Sequence, residues 1–205
     1  MRIAVLGTGM VGQALAGGLA GLGHDVVIGT RDPQVSLART APGGIGAWVA
    51  DHPGITVAGF ADAARGADLV VNALSGTASM AGVAAAGVAA GTVLLDVANP
   101  LDPGSGMPPG LFVANTDSLA EQLQRANPDA RVVKSLNTMT AALMVDPRQL
   151  ADGDFSTFVC GSDPDAKALV TGLLTGLGHR DVIDLGELSA ARGTEAMMLV
   201  WLRLW

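Results

Sequence analysis

Three glycines near the amino terminus constrain the fold of this chain more than any other feature. Gly7, Gly9 and Gly12 have G-x-G-x-x-G spacing and directly follow Arg2–Leu6, an apolar run typical of a buried parallel strand. The apolar periodicity of residues 10–22 predicts a helix immediately afterwards. In this order the glycines permit a tight turn, a close backbone approach to a pyrophosphate, and close packing of the helix. The sequence therefore predicts dinucleotide binding; the alternative is a tight βα turn without a ligand.

The end of the second predicted strand, residues 25–28, indicates which dinucleotide is bound. A site for NAD usually places Asp or Glu there, to bind the 2′-hydroxyl of the ribose. This chain has Thr30 and Arg31 instead. A hydroxyl and a guanidinium suit a 2′-phosphate, because arginine binds phosphate through charge-assisted and often bidentate hydrogen bonds. We therefore predict NADP(H) rather than NAD; in the alternative, Arg31 is a solvated charge and Asp32 binds the ribose.

Predicted strands alternate with predicted helices along the chain, which is the pattern of βαβ units. The predicted fold is α/β, a Rossmann-type doubly wound, mostly parallel sheet with helices on both faces. Ligands of such sheets bind beyond the carboxyl ends of the strands, so we expect the loops at residues 72–75 and 97–100 to line the cofactor. Asn99 is a candidate for holding the nicotinamide carboxamide, unless Asn99 and Pro100 only begin a turn.

The later part of the chain is predicted to complete the same edge of the sheet. Residues 101–110 are rich in Pro and Gly and are predicted to form a loop, and long loops often act as lids or binding loops. A strand at residues 131–136 delivers residues 137–140 to the edge. Two more strands, one of them at residues 155–160, and a helix precede an apolar tail at residues 197–205. We expect this tail to pack on the core or on a second subunit, or to continue into further chain.

Composition excludes several classes of partner. The 205-residue chain has a formal net charge of −7 and no cluster of Lys and Arg, which argues against nucleic acid and anionic membranes. An uncharged stretch at residues 69–95 is better explained by a helix and a buried strand than by a membrane span. The single cysteine, Cys160, allows no internal disulfide, fits a reducing cytoplasm and is predicted to be a packing residue. The three histidines are scattered without metal-ligand spacing.

Several motifs at these positions together resemble one family. They are Gly7-Thr-Gly-Met-Val-Gly12, Ile28-Gly-Thr-Arg31, Val97-Ala-Asn-Pro100, Val132-Val-Lys-Ser-Leu-Asn-Thr138 and Phe158-Val-Cys-Gly-Ser-Asp163. The combination is similar to the NADPH-dependent reductases of coenzyme F-420, an 8-hydroxy-5-deazaflavin, and covers nearly the whole chain. The cytosolic domain of the ferric-reducing membrane family shares the pattern, so the match does not fix the hydride acceptor.

The resemblance implies hydride transfer between NADP(H) and the deazaflavin, a small-molecule substrate, in a homodimer. It implies an NADP-binding domain at residues 1–140 and a smaller substrate or dimerisation part at residues 141–205. The implied cofactor-binding residues are Gly7, Thr8, Gly9, Met10, Val11 and Gly12 at the pyrophosphate, Thr30 and Arg31 at the 2′-phosphate, and Ala73, Leu74, Ser75, Ala98, Asn99 and Pro100 near the ribose and nicotinamide. The implied substrate-binding residues are Asn137, Thr138 and Met139.

Two departures from the family pattern modify these expectations. Family members often carry another cation a few residues beyond the arginine, where this chain has Gln34 and Val35; the next cation is Arg39. We therefore expect a weaker hold on the 2′-phosphate and some tolerance of NADH. The loop at residues 101–110 has little of the aromatic or cationic character that would bind a polyglutamyl-type tail.

No residue is predicted to be catalytic in its own right. The chain has no tyrosine, and Lys134 lies inside a predicted strand, where a structural or phosphate role is favoured over proton donation. Hydride transfer between two bound rings needs little acid–base help from the protein. The alternatives are an NADP-dependent reductase of another small acceptor, such as an imine, a ketone or a ferric chelate, and an NADP-sensing protein without turnover.

Overall fold

A twisted eight-stranded sheet forms the centre of the molecule. The computed structural model describes residues 1–204. The strands are β1 Arg2–Leu6, β2 Asp25–Thr30, β3 Thr56–Gly59, β4 Leu69–Asn72, β5 Val93–Asp96, β6 Leu101–Asp102, β7 Gly110–Leu111, β8 Arg131–Ser135, β9 Ser156–Gly161 and β10 Asp181–Asp184. The helices are α1 Met10–Gly21, α2 Pro33–Leu37, α3 Ile45–Ala50, α4 Phe60–Ala64, α5 Gly76–Ala86, α6 Leu119–Ala126, α7 Ala141–Val145, α8 Pro164–Leu177, α9 Ala191–Ala196 and α10 Met198–Leu204.

The sheet has the order β10-β9-β8-β5-β4-β1-β2-β3 and is parallel except between β8 and β9. The prediction of a mostly parallel, doubly wound sheet is therefore confirmed. Side chains of β1 alternate between two cores, because helices cover both faces of a sheet of this kind. Ile3 and Val5 pack in the core that contains residues of α1 and α8. Ala4 and Leu6 pack in the core that contains residues of α4, α5 and α6.

The carboxyl-terminal segment continues the same sheet. Strand β9 pairs antiparallel with β8, and β10 then pairs parallel with β9 at the edge. A 3₁₀ turn, Leu188–Ala190, and α9 precede the apolar tail, and the described part of the tail forms α10. The last residue of the predicted tail, Trp205, lies outside the described residues. Within residues 1–204, no helix combines the length and the apolar character needed to cross a membrane. The division into two domains at residue 140 stays a prediction.

The prediction of a plain loop at residues 101–110 is wrong in part. Strands β6 and β7 pair antiparallel at its two ends, with Leu101 opposite Leu111 and Asp102 opposite Gly110. A 3₁₀ turn lies between them, and the Asp102 carboxylate accepts from Gly104 N at 2.9 Å. The segment is therefore a short hairpin that begins directly at the carboxyl edge of the sheet.

A buried ammonium group joins three elements beneath that edge. Lys134 Nζ on β8 lies 2.8 Å from Asp96 on β5 and 2.8 Å from Glu195 on α9, and all three side chains are at most 2% exposed. The same Nζ donates to Ala98 O. Burial alone lowers the pKa of Lys134, but the adjacent carboxylates outweigh burial and raise its pKa above the ordinary value. Lys134 therefore stays charged and has the structural role that the sequence favoured.

The Glu195 carboxylate also reaches the start of α6. It accepts from Leu119 N at 2.9 Å and from Ala120 N at 3.2 Å, two of the donors that a helix leaves unpaired at its first turn. On the other side of Lys134, the Asp96 carboxylate accepts from the Asn72 amide at 2.8 Å, and that amide lies 3.0 Å from the Ser79 hydroxyl. A continuous polar network thus underlies the ends of β4, β5 and β8.

Replacing Lys134 with methionine should destabilise the fold strongly. The substitution keeps the length of the side chain but leaves buried carboxylates without a cation, which costs roughly 3–5 kcal/mol. Urea denaturation followed by circular dichroism measures the change in the free energy of unfolding. Lys167→Met is the matched control, because Lys167 pairs with Asp184, whose side chain is 53% exposed, and such pairs contribute about 1 kcal/mol or less. Equal, small losses in both variants would contradict the structural role of the buried group.

Candidate active site

The glycine turn after β1 lies in close backbone contact with the residue that follows β4. Gly7 has φ +123°, and a Cβ atom there would lie 2.5 Å from Ala73 O. A Cβ atom on Gly12 would strike Gly7 O, so α1 can approach the turn only because residue 12 is glycine. A Cβ atom on Gly9 would point into open space. Gly9 provides no side chain to cap α1, which leaves the first N–H groups of α1 available to an anion. The turn therefore fits a pyrophosphate.

A cavity of about 1010 Å³ extends from this turn along the end of β2. The predicted 2′-phosphate residues Thr30 and Arg31 line it together with Gly7, Thr8 and other residues of β2, α2 and α5. The Thr30 hydroxyl is 2.7 Å from the Ser36 hydroxyl, which fixes its position. Asp32 also lines the cavity, but its carboxylate accepts from Val35 N at 3.0 Å and caps α2. That geometry weakens the alternative in which Asp32 binds the ribose.

Arg39 also lines this cavity, although its position was not predicted from the sequence. Helix α2 has only five residues, so the chain turns back and brings Arg39 to the cavity that Arg31 lines. Arg39 Nη2 donates to the Thr8 hydroxyl at 2.6 Å. Arg39 O also accepts from Gly46 N at 3.0 Å, which holds its backbone. Two arginines therefore line this cavity, and the expected weaker hold on the 2′-phosphate stays a prediction.

A second cavity of about 540 Å³ adjoins the first, and the two share Leu74, Ser75 and Thr77. Its volume is in the range of small-molecule sites. None of the described residues that line it carries a charged side chain. The lining residues are Met10, Val11, Ala73, Leu74, Ser75, Gly76, Thr77, Val97, Ala98, Asn99, Leu101, Pro103, Asn137, Met139, Thr140, Ala141, Met144, Met198 and Trp201.

Most predicted site residues therefore line one of the two adjoining cavities. Gly7, Thr8, Thr30 and Arg31 line the first, and Met10, Val11, Ala73, Ala98, Asn99, Asn137 and Met139 line the second, with Leu74 and Ser75 lining both. Gly9 and Gly12 belong to the turn without lining a cavity. Pro100 and Thr138 line neither; Pro100 is buried and Thr138 is half-buried next to the second cavity. Their contacts with a cofactor stay predictions.

Asn99 and Asn137 both line the second cavity and are joined by two hydrogen bonds, called here the Asn99–Asn137 clasp. Asn99 Nδ2 donates to Asn137 O at 2.8 Å, and Asn137 Nδ2 donates to Asn99 Oδ1 at 2.9 Å and to Thr194 O at 3.0 Å. Leu136, directly before the clasp, is buried at φ +61°, a region that bulky residues rarely adopt. Both polar groups of the Asn99 side chain are engaged within the protein. Its contact with the nicotinamide carboxamide therefore stays a prediction without direct geometric support.

The cysteine and the most buried histidine are packed away from both cavities. Burial raises the pKa of Cys160 to about 11, so its thiol is neutral. Burial lowers the pKa of His179, whose ring lies 2.7 Å from the Thr157 hydroxyl and 3.1 Å from Met144 O. Over residues 1–204, no group of three or more His, Cys, Asp or Glu side chains is arranged to hold a metal ion. Neither Cys160 nor His179 is positioned as a nucleophile or a base.

Fold and cavities together define the class: a Rossmann-type protein that holds a dinucleotide across the carboxyl edge of its sheet. The family model described as NADP oxidoreductase, coenzyme F420-dependent, matches residues 2–100. The F420-dependent NADP reductase of Methanothermobacter marburgensis is 31% identical over 204 residues, which cover 95% of this chain and 88% of that protein. The chain belongs to this family of NADP oxidoreductases, whose substrates are NADP(H) and coenzyme F-420, so the predicted family, enzyme class and cofactor pair are confirmed.

Two further matches extend the comparison. The solved structure of a candidate F420-dependent NADP-reductase from Arthrobacter sp. FB24 is 57% identical with a TM-score of 0.98, and the match covers 100% of this chain and 93% of that one. The Metalloreductase STEAP3 of Rattus norvegicus is 30% identical over 206 residues. That match covers 100% of this chain, which spans only 38% of the rat protein.

Removing either guanidinium group should weaken NADPH binding. NADH binding should be nearly unchanged in Arg31→Ala and should fall less than NADPH binding in Arg39→Ala, because Arg39 also bonds to Thr8 in the pyrophosphate turn. In Arg31→Ala and in Arg39→Ala we expect a loss of roughly 1.5–3 kcal/mol of NADPH affinity, the range for a charged hydrogen bond. Fluorescence titration or calorimetry with both cofactors measures the losses. Arg65→Ala is the control, since Arg65 pairs with Asp62 and lines neither cavity. An equal loss of NADH affinity would show that the mutated arginine does not contact the 2′-phosphate.

Proposed function

We propose that this chain transfers a hydride between NADP(H) and coenzyme F-420, with the two reacting rings in the 540 Å³ cavity. The observation that carries the proposal is that charged side chains line one cavity and not the other. Arg31, Arg39 and Asp32 line the larger cavity, whereas the smaller one is lined without a charged side chain. A phosphorylated dinucleotide would therefore lie with its phosphate at Arg31 and Arg39 and its nicotinamide in the uncharged cavity.

In this proposal the residues of the chain bind and orient the dinucleotide and the acceptor ring. The turn from Gly7 to Gly12 holds the pyrophosphate, and residues 73–75 and 98–100 lie along the ribose and nicotinamide. Asn137, Thr138 and Met139 face the acceptor ring. The turn and the first N–H groups of α1 point their donors at the phosphates, because Gly9 leaves that space open.

The bound rings supply the redox chemistry: a hydride leaves nicotinamide C4 and bonds to deazaflavin C5, and a proton from solvent completes the reduced deazaflavin. The protein contributes orientation and exclusion of water, which a cavity lined by Val97, Met139 and Met144 favours. Reduction of an imine or a ketone usually requires a proton donor in the cavity. The lining offers only hydroxyl and amide groups for that purpose, which favours the deazaflavin over those acceptors.

Mixing the protein with NADPH and oxidised coenzyme F-420 should bleach the visible absorbance band of the deazaflavin. The expected stoichiometry is one deazaflavin reduced per NADPH oxidised, and NADH should react much more slowly. Stopped-flow absorbance measures both rates. Tight NADPH binding without bleaching would overturn the proposal and favour the NADP-sensing alternative. Oxidation of NADPH by an imine, a ketone or a ferric chelate, but not by the deazaflavin, would instead identify another acceptor.

We further propose a cytoplasmic homodimer that uses the outer face of α10. Met197, Leu199, Val200 and Leu204 are 43–83% exposed on and next to this helix, which is a large apolar area for a monomer surface. In a two-fold interface, the same surface of a second copy of the chain would cover these side chains. Light scattering should give the mass of a dimer. Val200→Asp should shift it toward the monomer, whereas a wild-type monomer at micromolar concentration would contradict the proposal.

A further inference from the structure

Helix α10 contributes two side chains to the outer end of the uncharged cavity. Met198 and Trp201 are three residues apart and therefore lie on the same face of the helix. Both line the cavity; Met198 is 2% exposed and Trp201 is half-buried. Neither residue was predicted from the sequence to belong to the site. Their placement makes α10 a wall of the cavity as well as an exposed surface.

The position of this wall is fixed by polar links through α9, which precedes α10 directly. Glu195 binds the buried Lys134 at 2.8 Å and two N–H groups at the start of α6. The neighbouring Thr194 O accepts from the Asn137 amide on the cavity floor at 3.0 Å. Arg192 on α9 is also paired with Glu121 on α6 at 2.6 Å. These links anchor α9, from which α10 and Trp201 directly continue, and a firmly supported wall favours selective recognition of a ring.

The side chains that line the cavity together with Trp201 favour a planar, conjugated ligand. Met139 and Met144 line the cavity along with Met198, and thioether groups pack favourably against aromatic rings. An indole stacks on such rings or meets them edge to face. A small aliphatic imine or ketone offers no ring for these contacts. A ferric chelate carries charge into a place where the described lining has no countercharge.

We propose that Trp201 is the contact for the acceptor ring and the residue that makes the site selective for a planar heteroaromatic acceptor. This inference rests on the proposed function and deepens it, since it names the part of the chain that recognises the second substrate. Trp201 binds the ring beyond the nicotinamide, and the buried Met198 lines the same cavity one helical turn earlier. The affinity of NADPH, which is held at the other end by the turn and the two arginines, does not depend on Trp201.

Kinetics of three variants test the inference. Trp201→Ala should raise the KM for the deazaflavin about tenfold, which corresponds to a stacking contribution of about 1.4 kcal/mol. Trp201→Phe should raise it about twofold because a ring is retained. Arg203→Ala is the control on the same helix, since Arg203 is exposed and lines neither cavity. In all three variants the Kd for NADPH should match that of the wild type.

A binding measurement separates failure of the inference from failure of the proposed function. In a variant with Trp48→Phe and Trp205→Phe, Trp201 is the sole tryptophan, and the deazaflavin should quench its emission in the presence of NADP⁺. Wild-type turnover with an unchanged KM in Trp201→Ala, or no quenching, overturns the inference and leaves the proposed function standing. Quenching without wild-type turnover supports the ring contact but overturns the proposed function. Loss of NADPH affinity in Trp201→Ala overturns the inference, because the indole would then contact the dinucleotide.

Discussion

The buried charge of Lys134 is the constraint on which the rest of the structure depends. An ammonium group inside a parallel sheet is tolerated only when carboxylates surround it, and here they come from β5 and α9. Asp96 and Glu195 are 99 residues apart in sequence, so satisfying one cation brings distant elements to a single point. That point lies under the carboxyl edge of the sheet, where parallel sheets bind their ligands. The need to pair one charge therefore shapes the site above it.

The polar network is charged, whereas the cavity above it is lined by uncharged side chains. Asn72, Asp96 and Lys134 direct their polar groups at one another. The Asn99–Asn137 clasp continues the same arrangement at the ends of β5 and β8. A site for hydride transfer benefits from such a division, because firmly held walls orient two rings while the reacting atoms stay in a dry, uncharged space.

Local signals explain what could be predicted from the sequence. The glycine turn, the apolar strands and the choice of Thr30 and Arg31 are encoded within a few residues, and the fold and the first cavity follow from them. The proximity of Arg39 to Thr8 could not be predicted, because it depends on the length of α2 and the turn after it. The hairpin at residues 101–111 and the role of α10 were missed for the same reason. No periodicity in a sequence indicates which distant partner a segment will pack against.

In the proposed function, the distribution of charge between the cavities sets the orientation of the bound dinucleotide. A phosphate placed among Met139, Met144 and Val97 would lose its hydration without gaining a cation, and an unpaired buried charge is far costlier than an exposed one. The same phosphate between Arg31 and Arg39 gains charge-assisted hydrogen bonds. The open space beside Gly9 lies at the turn between these ends, where the pyrophosphate must pass. The proposed orientation satisfies all three conditions, and it would bring the nicotinamide to the cavity that α10 lines.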